Sequence, residues 1–438
     1  MRKNINKLVA FAIGVSVISG SIIPAFAEDA TAQNTSTITN VQANVKPVLT
    51  LSDSINAAIS NSETLQLDEK KISSQNKIDY INQEIEDNNN ISNDQENFND
   101  DTREININKL EQKREFDEDN LIQKTTKVYN DIVTSKLKID KAEKGLEIQN
   151  KLLSDAKLKS NLGLMTTIDL TSAEIQIETL QNQLKSNQNA LIDLQYSFKV
   201  LTGKDVTQYT LEQDSNYETF KIDQSVDDYL DNVIDKYLKY SEELLALNKE
   251  YYKDDDNYIS LSSTSSVKFK ISELTTDAID GFKTDITTKK NEITAFDDTT
   301  ISSYVSYLST YKEYTDAATT YAEALAGRLV YLNTKLGVSE NETTLDEAKK
   351  TYKESLRSIY TNINGLEDNI TTLNKNIALN NKQLSNAKLK YDLGLMTKSD
   401  YDTLVVNSED LQIQLRSLID SHNTLKEEIQ KPWIIFSK

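Results

Sequence analysis

Apolar residues between Val128 and Ser160 fall on a ladder of alternating four- and three-residue steps. Val128, Ile132, Ile139, Ala142, Leu146, Leu153 and Ala156 carry it, with Ser135, Gln149 and Ser160 in the remaining places. Such a stripe keeps one side of an α-helix turned toward a second helix, which is a heptad seam. A further ladder runs through Leu170, Ala173, Ile177, Leu180, Leu184, Asn187, Leu191, Leu194, Phe198 and Leu201. Shifted by 231 residues, the first becomes Ile359, Ile363, Leu366, Ile370, Leu373, Ile377, Asn380, Leu384, Ala387 and Tyr391. The second becomes Tyr401, Leu404, Ser408, Leu411, Leu415, Leu418, His422, Leu425 and Ile429. The pattern predicts an all-α chain with two tandem copies of one long antiparallel coiled-coil hairpin. Each arm covers about 35 residues, or roughly 50 Å at 1.5 Å per residue.

The letters repeat most closely where each hairpin must reverse. Residues 156–170, AKLKSNLGLMTTIDL, return as residues 387–401, AKLKYDLGLMTKSDY, with ten of fifteen positions alike. Gly163 and Gly394 suit the left-handed backbone just past a helix end, where a Cβ is costly. Thr166 and Thr397 stand three residues before Asp169 and Asp400, a variant of the capping box in which hydroxyl and carboxylate both meet free amide groups. Met165 and Met396 precede those caps, placed to staple onto Leu170 and Tyr401. Any good turn needs this chemistry. That both copies keep Leu-Gly-Leu-Met-Thr while their arms have drifted points to a further demand on the tips. The alternative for Leu164 and Leu395 is a contact back onto Leu158 and Leu389, the hydrophobic partner of a helix-ending motif.

Composition sharpens this picture. Pro24, Pro47 and Pro432 are the only prolines, so the long middle of the chain lacks the residue that removes a donor and clashes with the preceding helical turn. No cysteine is present, which excludes disulfides, thiolate metal sites, a cysteine nucleophile and a lipid-anchoring cysteine. Arg2, Lys3 and Lys7 precede an apolar stretch from Leu8 to Ile23 and an Ala25-Phe26-Ala27 ending. That layout is a cleavable secretory signal, and an uncleaved anchor would need an apolar stretch without Gly14, Ser16, Ser19, Gly20 and Ser21. Cleavage would carry the net charge from −20 to −23, an acidity that argues against nucleic acid and anionic lipid as partners.

The tip block, with Asp169, Ala173 and Leu180 after it and Leu194, Leu201, Thr202 and Gly203 closing the helix, resembles the TolC-like outer-membrane efflux protein family. Leu49 to Leu65 is similar to that family's opening helix, and Ser225 to Leu245 to a weaker second copy of it. The resemblance implies a duplicated chain that trimerises into an α-helical tube continued by a β-barrel, the exit duct of an export pump. It also implies that Gly163, Leu164, Met165 and Thr166, with Gly394, Leu395, Met396 and Thr397, form hairpin tips that meet a periplasmic adaptor protein. Location would be the cell envelope or outside the cell, and the outer membrane only where the cell has one.

The departures are specific. Asp87 to Asp101 is polar and reads as an exposed loop or helix-to-helix connection, where the family has barrel strands. Val267, Phe269 and Ile271 alternate with Lys268 and Lys270, which predicts one short strand without a hairpin partner. Tyr304 to Leu336 predicts helix ending at Gly337. Little or no barrel is therefore expected. The segments expected are a signal peptide (1–27), a flexible linker (28–48), a first repeat (49–217), a second repeat (218–431) with an insertion at about 255–345, and an apolar tail (432–438).

No residue set predicts catalysis, a metal or a cofactor. His422, the only histidine, fills the seam place of Leu191 and reads as a polar register-setting residue like Asn187 and Asn380. No phosphate-cradling glycine loop, serine elbow or paired-histidine helix motif occurs. Trp433 to Phe436 is too short to span a bilayer and reads as a packing end. Three classes stand: a duct component, an exported structural or adhesion coiled-coil spacer, and a helical accessory to a cell-wall enzyme. The tip block favours the first.

Overall fold

The computed structural model describes residues 46–89, 91–261, 267–294 and 301–437. The expected signal peptide and most of the linker lie outside them. Nearly all the described chain is helix, in the order expected of a duplicated hairpin. Strand β1 (Val48–Leu49) leads into α1 (Leu51–Asn61) and α2 (Glu63–Asn88), then α3 (Asn93–Asn161) and α4 (Thr167–Thr202). After β2 (Thr210–Leu211) come α5 (Val226–Tyr251), β3 (Tyr258–Ser260), β4 (Lys268–Lys270) and α6 (Thr276–Thr294). The chain continues through α7 (Ile301–Asp392) and α8 (Lys398–Gln430) to the short α9 (Trp433–Phe436).

Contacts divide the described residues into two compact units, one of residues 68–113 and 238–351, the other of residues 46–67, 114–237 and 352–437. The second holds both hairpin tips. Its core lies where the two-residue parallel pair β1–β2 meets the helices: Leu49, Ile132, Val133, Phe198, Val206 and Leu211 are buried together. The Tyr129 hydroxyl donates to the Leu49 carbonyl at 2.8 Å from inside that cluster. Thr50 and Asp53 start α1 with a full capping box. Helix α4 ends at Gly203, φ 68°, and the Asn61 amide donates to the last carbonyls, of Val200 (3.1 Å) and Leu201 (3.2 Å). The positive φ favours glycine here, and a Cβ on Gly203 would lie 3.3 Å from Asn61 Oδ1, so the Asn61 side chain would have to give way slightly.

All four ladders behave as seams. Every place in them is buried or half-buried except Leu404. The apolar tail is a packing end, as expected: Trp433 stacks on Phe116 at 4.4 Å and donates to Asp119 at 2.9 Å, with Ile434 buried beside it.

The first unit corrects several expectations. Asp87 to Asp101 does hold a helix-to-helix connection, one of the two expected readings, but a shorter one, since α2 runs to Asn88 and α3 begins at Asn93. Asn and Asp at such density suit a helix start, where their side chains complement free amide groups. The strand at 268–270 does have a partner: β3 and β4 form an antiparallel hairpin with Ile259 opposite Phe269. Three residues per strand were too few to leave a readable alternation in β3. Both side chains are buried with Ile271, Leu274, Ile279 and Ala324. Helix α7 passes through Gly337 without a break, because an isolated helical glycine costs only about 1 kcal/mol against alanine. The incoming arms are also far longer than about 35 residues: α3 has 69 and α7 has 92, whereas α4 with 36 and α8 with 33 are near the expectation. The four strands have two or three residues each, and the described residues form no closed barrel. None of the described helices is long and apolar enough to cross a membrane.

Candidate functional site

The two tips are the same object built twice. At the first, Gly163 takes φ 72°, its N–H donates to the Ser160 carbonyl (2.9 Å), and the Leu164 N–H donates to that of Lys159 (2.8 Å). At the second, Gly394 takes φ 71°, its N–H donates to the Tyr391 carbonyl (3.0 Å), and the Leu395 N–H donates to that of Lys390 (2.8 Å). This pair of bonds is the Schellman motif, which satisfies the last carbonyls of α3 and α7. Nothing lies within 4 Å of a Cβ placed on either glycine. Alanine there is strained by backbone conformation alone. Gly163→Ala and Gly394→Ala are each expected to lower stability by about 1 to 2 kcal/mol, read by urea denaturation. No loss would mean that the tips close by another conformation.

Two residues on, Thr166 and Thr397 accept the N–H of Asp169 (3.2 Å) and Asp400 (3.1 Å) and start α4 and α8. The expected reciprocal half differs. The Asp169 and Asp400 carboxylates accept from the threonine hydroxyls, at 2.6 and 2.7 Å, and not from backbone amides. At Thr50 and Asp53 the same pair of residue types makes both bonds, from the hydroxyl at 2.8 Å and from the backbone amide at 3.4 Å, so side-chain length alone does not set the difference.

What the tips present is apolar. Leu164 is 75% exposed and Leu395 74% exposed, with Leu162, Leu393 and Ile168 also exposed and Met165 and Met396 half-buried. Leu158 and Leu389, the alternative partners of the tip leucines, are themselves exposed, so no contact back onto them hides either leucine.

Behind the tips the copies are not independent. Helix α8 runs antiparallel to α3, joined by Lys141 with Asp410, Lys144 with Glu409 (2.8 Å), Gln123 with Glu428 (3.2 Å) and Asp119 with Lys431 (2.7 Å). The hydrogen bond from Lys141 holds the Asp410 carboxyl below its usual range. Arg416 is buried on this contact and donates to Thr134 Oγ1 (3.2 Å), Asn130 Oδ1 (3.2 Å) and the Gln213 carbonyl, with Asp420 at 3.7 Å. Burial lifts the Asp420 carboxyl above its usual range against the pull of Arg416. Nothing in the ladders pointed to Arg416. One signal existed: the chain has only six arginines against 43 lysines, and the planar fork of an arginine suits several hydrogen bonds at a buried contact.

The same contact covers half of a second apolar file near the tips. That file consists of Ile168 and Ile175 in the first copy and Val406 and Ile413 in the second. Ile168 and Ile175 are exposed. Ile413, however, is buried, and Val406 Cγ1 lies 4.0 Å from a Cβ placed on Gly145 of α3. The file is covered by α3 in the second copy and stays open in the first. A cleft of about 780 Å³ opens here, with Lys141, Gly145, Ile148, Asn187, Val406 and Asp410 among its walls.

His422 is fully buried in the seam, its Nε2 3.0 Å from Glu367 Oε1 and its ring edge-on to Tyr217 at 5.1 Å. The Phe220 N–H donates to the same oxygen at 2.6 Å. His422→Leu, which copies the first repeat, is expected to cost about 1 to 3 kcal/mol through loss of a bond to a carboxylate. Thermal melting would check this, and an unchanged midpoint would make the histidine incidental. No group of three metal-ligating side chains is placed to hold a metal among the described residues.

No family model matches the sequence, and no curated protein is similar to it in sequence. Solved structures are similar to it in fold. A membrane protein from Pseudomonas aeruginosa superposes with a TM-score of 0.54 at 10% identity, over 94% of this chain and 99% of its own. The outer-membrane channel OprN gives 0.53 at 10%, over 88% and 90%. CusC, a protein that forms a transmembrane channel, gives 0.52 at 11%, over 94% and 98%. Identities this low establish the fold alone. The fold expected from the tip block, long TolC-like helical hairpins in two copies, is the fold this chain has.

Proposed function

We propose that this chain is an exported component of an envelope efflux or secretion duct, and that its two tips dock a partner protein. One observation carries the reading: two turns with the same hydrogen bonds each hold a leucine about three-quarters exposed at the end of a long hairpin. A turn needs no such leucine. Covering each would contribute about 1.5 to 3 kcal/mol, and a pair presented on equivalent tips suits a partner that meets both. The channel fold supports the duct, with three chains closing a tube and an adaptor-like envelope protein at Gly163–Thr166 and Gly394–Thr397. The repeats, 49–217 and 218–431, are the units of that duplication. The signal peptide would deliver the chain to the envelope, in the outer membrane where the cell has one.

The competing reading, a coiled-coil spacer without transport, draws on the strands of two or three residues, too short for a membrane barrel. Deleting the gene in its own host separates the two. A duct component should raise retention of some labelled small molecules or change the exported protein set, with recovery on complementation. Unchanged export of both kinds, with altered cell shape or adhesion, would leave the spacer.

A further inference from the structure

Helix α7 carries two stripes, and the chain uses one. Ala324 and Gly327 on its inner side pack with Leu274 and Phe269, close enough that a Cβ on Gly327 would lie 3.2 Å from Leu274 Cδ2. Around the helix from these, a ladder of unbroken three- and four-residue steps runs from Ile301 to Leu336, through eleven places of which all but Thr315 are Ile, Leu, Tyr or Ala. Tyr304, Leu308, Tyr311, Leu329, Leu332 and Leu336 along it are each at least 47% exposed. About five heptads of this kind exceed the three to four that mark a coiled-coil seam, and a stripe this long is more than the scattered surface apolar residues of a monomer.

Charge says what covers it. The chain as a whole has net charge −20, yet residues 301–336 carry Lys312, Arg328 and Lys335 against Glu313, Asp316 and Glu323, and are neutral. A basic or an acidic partner therefore finds nothing complementary here, and an equally acidic chain meets no local repulsion. The ladder also fits itself. In a parallel, in-register pair, leucine layers meet leucine layers and the small Ala318 and Ala322 meet their own copies. Lys335 precedes Glu340 by five residues, the spacing of an attractive pair across a parallel coiled coil. Both side chains are exposed.

We propose that a second copy of this chain docks along the α7 ladder, parallel and in register. The tips take no part in this contact, so it stands apart from tip docking. A monomeric chain would sink it together with the three-chain tube, whereas loss of association in the ladder variant alone bears on this face only.

The test is sedimentation of the full mature chain at micromolar concentration, wild type against Leu329→Asp/Leu332→Asp. Both leucines are about half exposed, so the variant keeps its fold, which circular dichroism checks. Wild type should self-associate, and the variant should do so roughly 100-fold more weakly. Ser306→Asp/Thr320→Asp, with the same added charge away from the ladder, should match wild type. The chain has no cysteine of its own, so Leu332→Cys chains should cross-link to one another under mild oxidation. A wild type that stays monomeric, because residues of the same chain cover the stripe, would overturn the proposal. Unchanged association in the ladder variant would mean assembly through another face and would overturn it equally, leaving the duct reading intact. Cross-linking only between Leu332→Cys and Leu308→Cys chains would refute the parallel register.

Discussion

Arg416→Ala is expected to lower the stability of the unit that holds the tips by about 3 to 5 kcal/mol, the usual loss when one partner of a buried ionic cluster is removed. Arg416 is buried and supplies donors to Thr134, Asn130 and the Gln213 carbonyl, groups on α3 and on the segment after β2. Without it those acceptors face one another, and Asp420, whose carboxyl burial already lifts, loses its only nearby cation on α8. Arg416→Lys keeps the charge but not the planar fork, so it should recover only part of the loss. The fluorescence of Trp433, the single tryptophan, reports on this unit during urea denaturation. A loss below about 1 kcal/mol, the worth of one ordinary hydrogen bond, would mean that the cluster is solvated in solution.

The contrast between Arg416 and the tips shows what the sequence made legible. Heptad seams are local, so the ladders from Val128 to Ile429 read directly, and the tip turns read because glycine at positive φ and a threonine cap are demanded by backbone geometry within a few residues. The pairing of α3 with α8 is different in kind. Lys141 and Asp410 are 269 residues apart, and no spacing rule links them. For that reason the Arg416 cluster went unread, and nothing local marks Val406 and Ile413 as residues that α3 covers. Gly337 and the extent of the 87–101 connection misled for a third reason: composition that favours a turn was overridden by long helices, through Gly337 and from Asn93 onward. The β3–β4 hairpin escaped because three residues per strand carry almost no periodic signal.

The tip prediction has the largest expected effect on function. Leu164→Asp/Leu395→Asp should leave helicity and melting near wild type. Each leucine is about three-quarters exposed, so its own packing contributes only about 0.4 to 0.8 kcal/mol on a scale of 1.5 to 3 for full burial. Binding should suffer far more. Two leucines covered by a partner supply about 3 to 6 kcal/mol together, so the double variant should hold that partner roughly 100- to 10,000-fold more weakly. Each single variant should lose about half of that free energy if both tips are engaged. Quantitative co-purification from the host's envelope fraction, at matched expression, reads the difference.

Cross-linking from the tips in living cells tests the docking claim most directly. Because the chain lacks cysteine, Leu164→Cys and Leu395→Cys each provide one thiol at a tip, and Tyr196→Cys provides one on an exposed face of α4 away from it. With a short bifunctional reagent, both tip thiols are predicted to capture the same envelope protein, in stoichiometric amounts and in competition with unlabelled wild-type chain, while the α4 thiol captures none of it. Capture of that protein equally from Tyr196→Cys, or of nothing from either tip, would contradict the account and leave Gly163–Thr166 and Gly394–Thr397 as well-made turns.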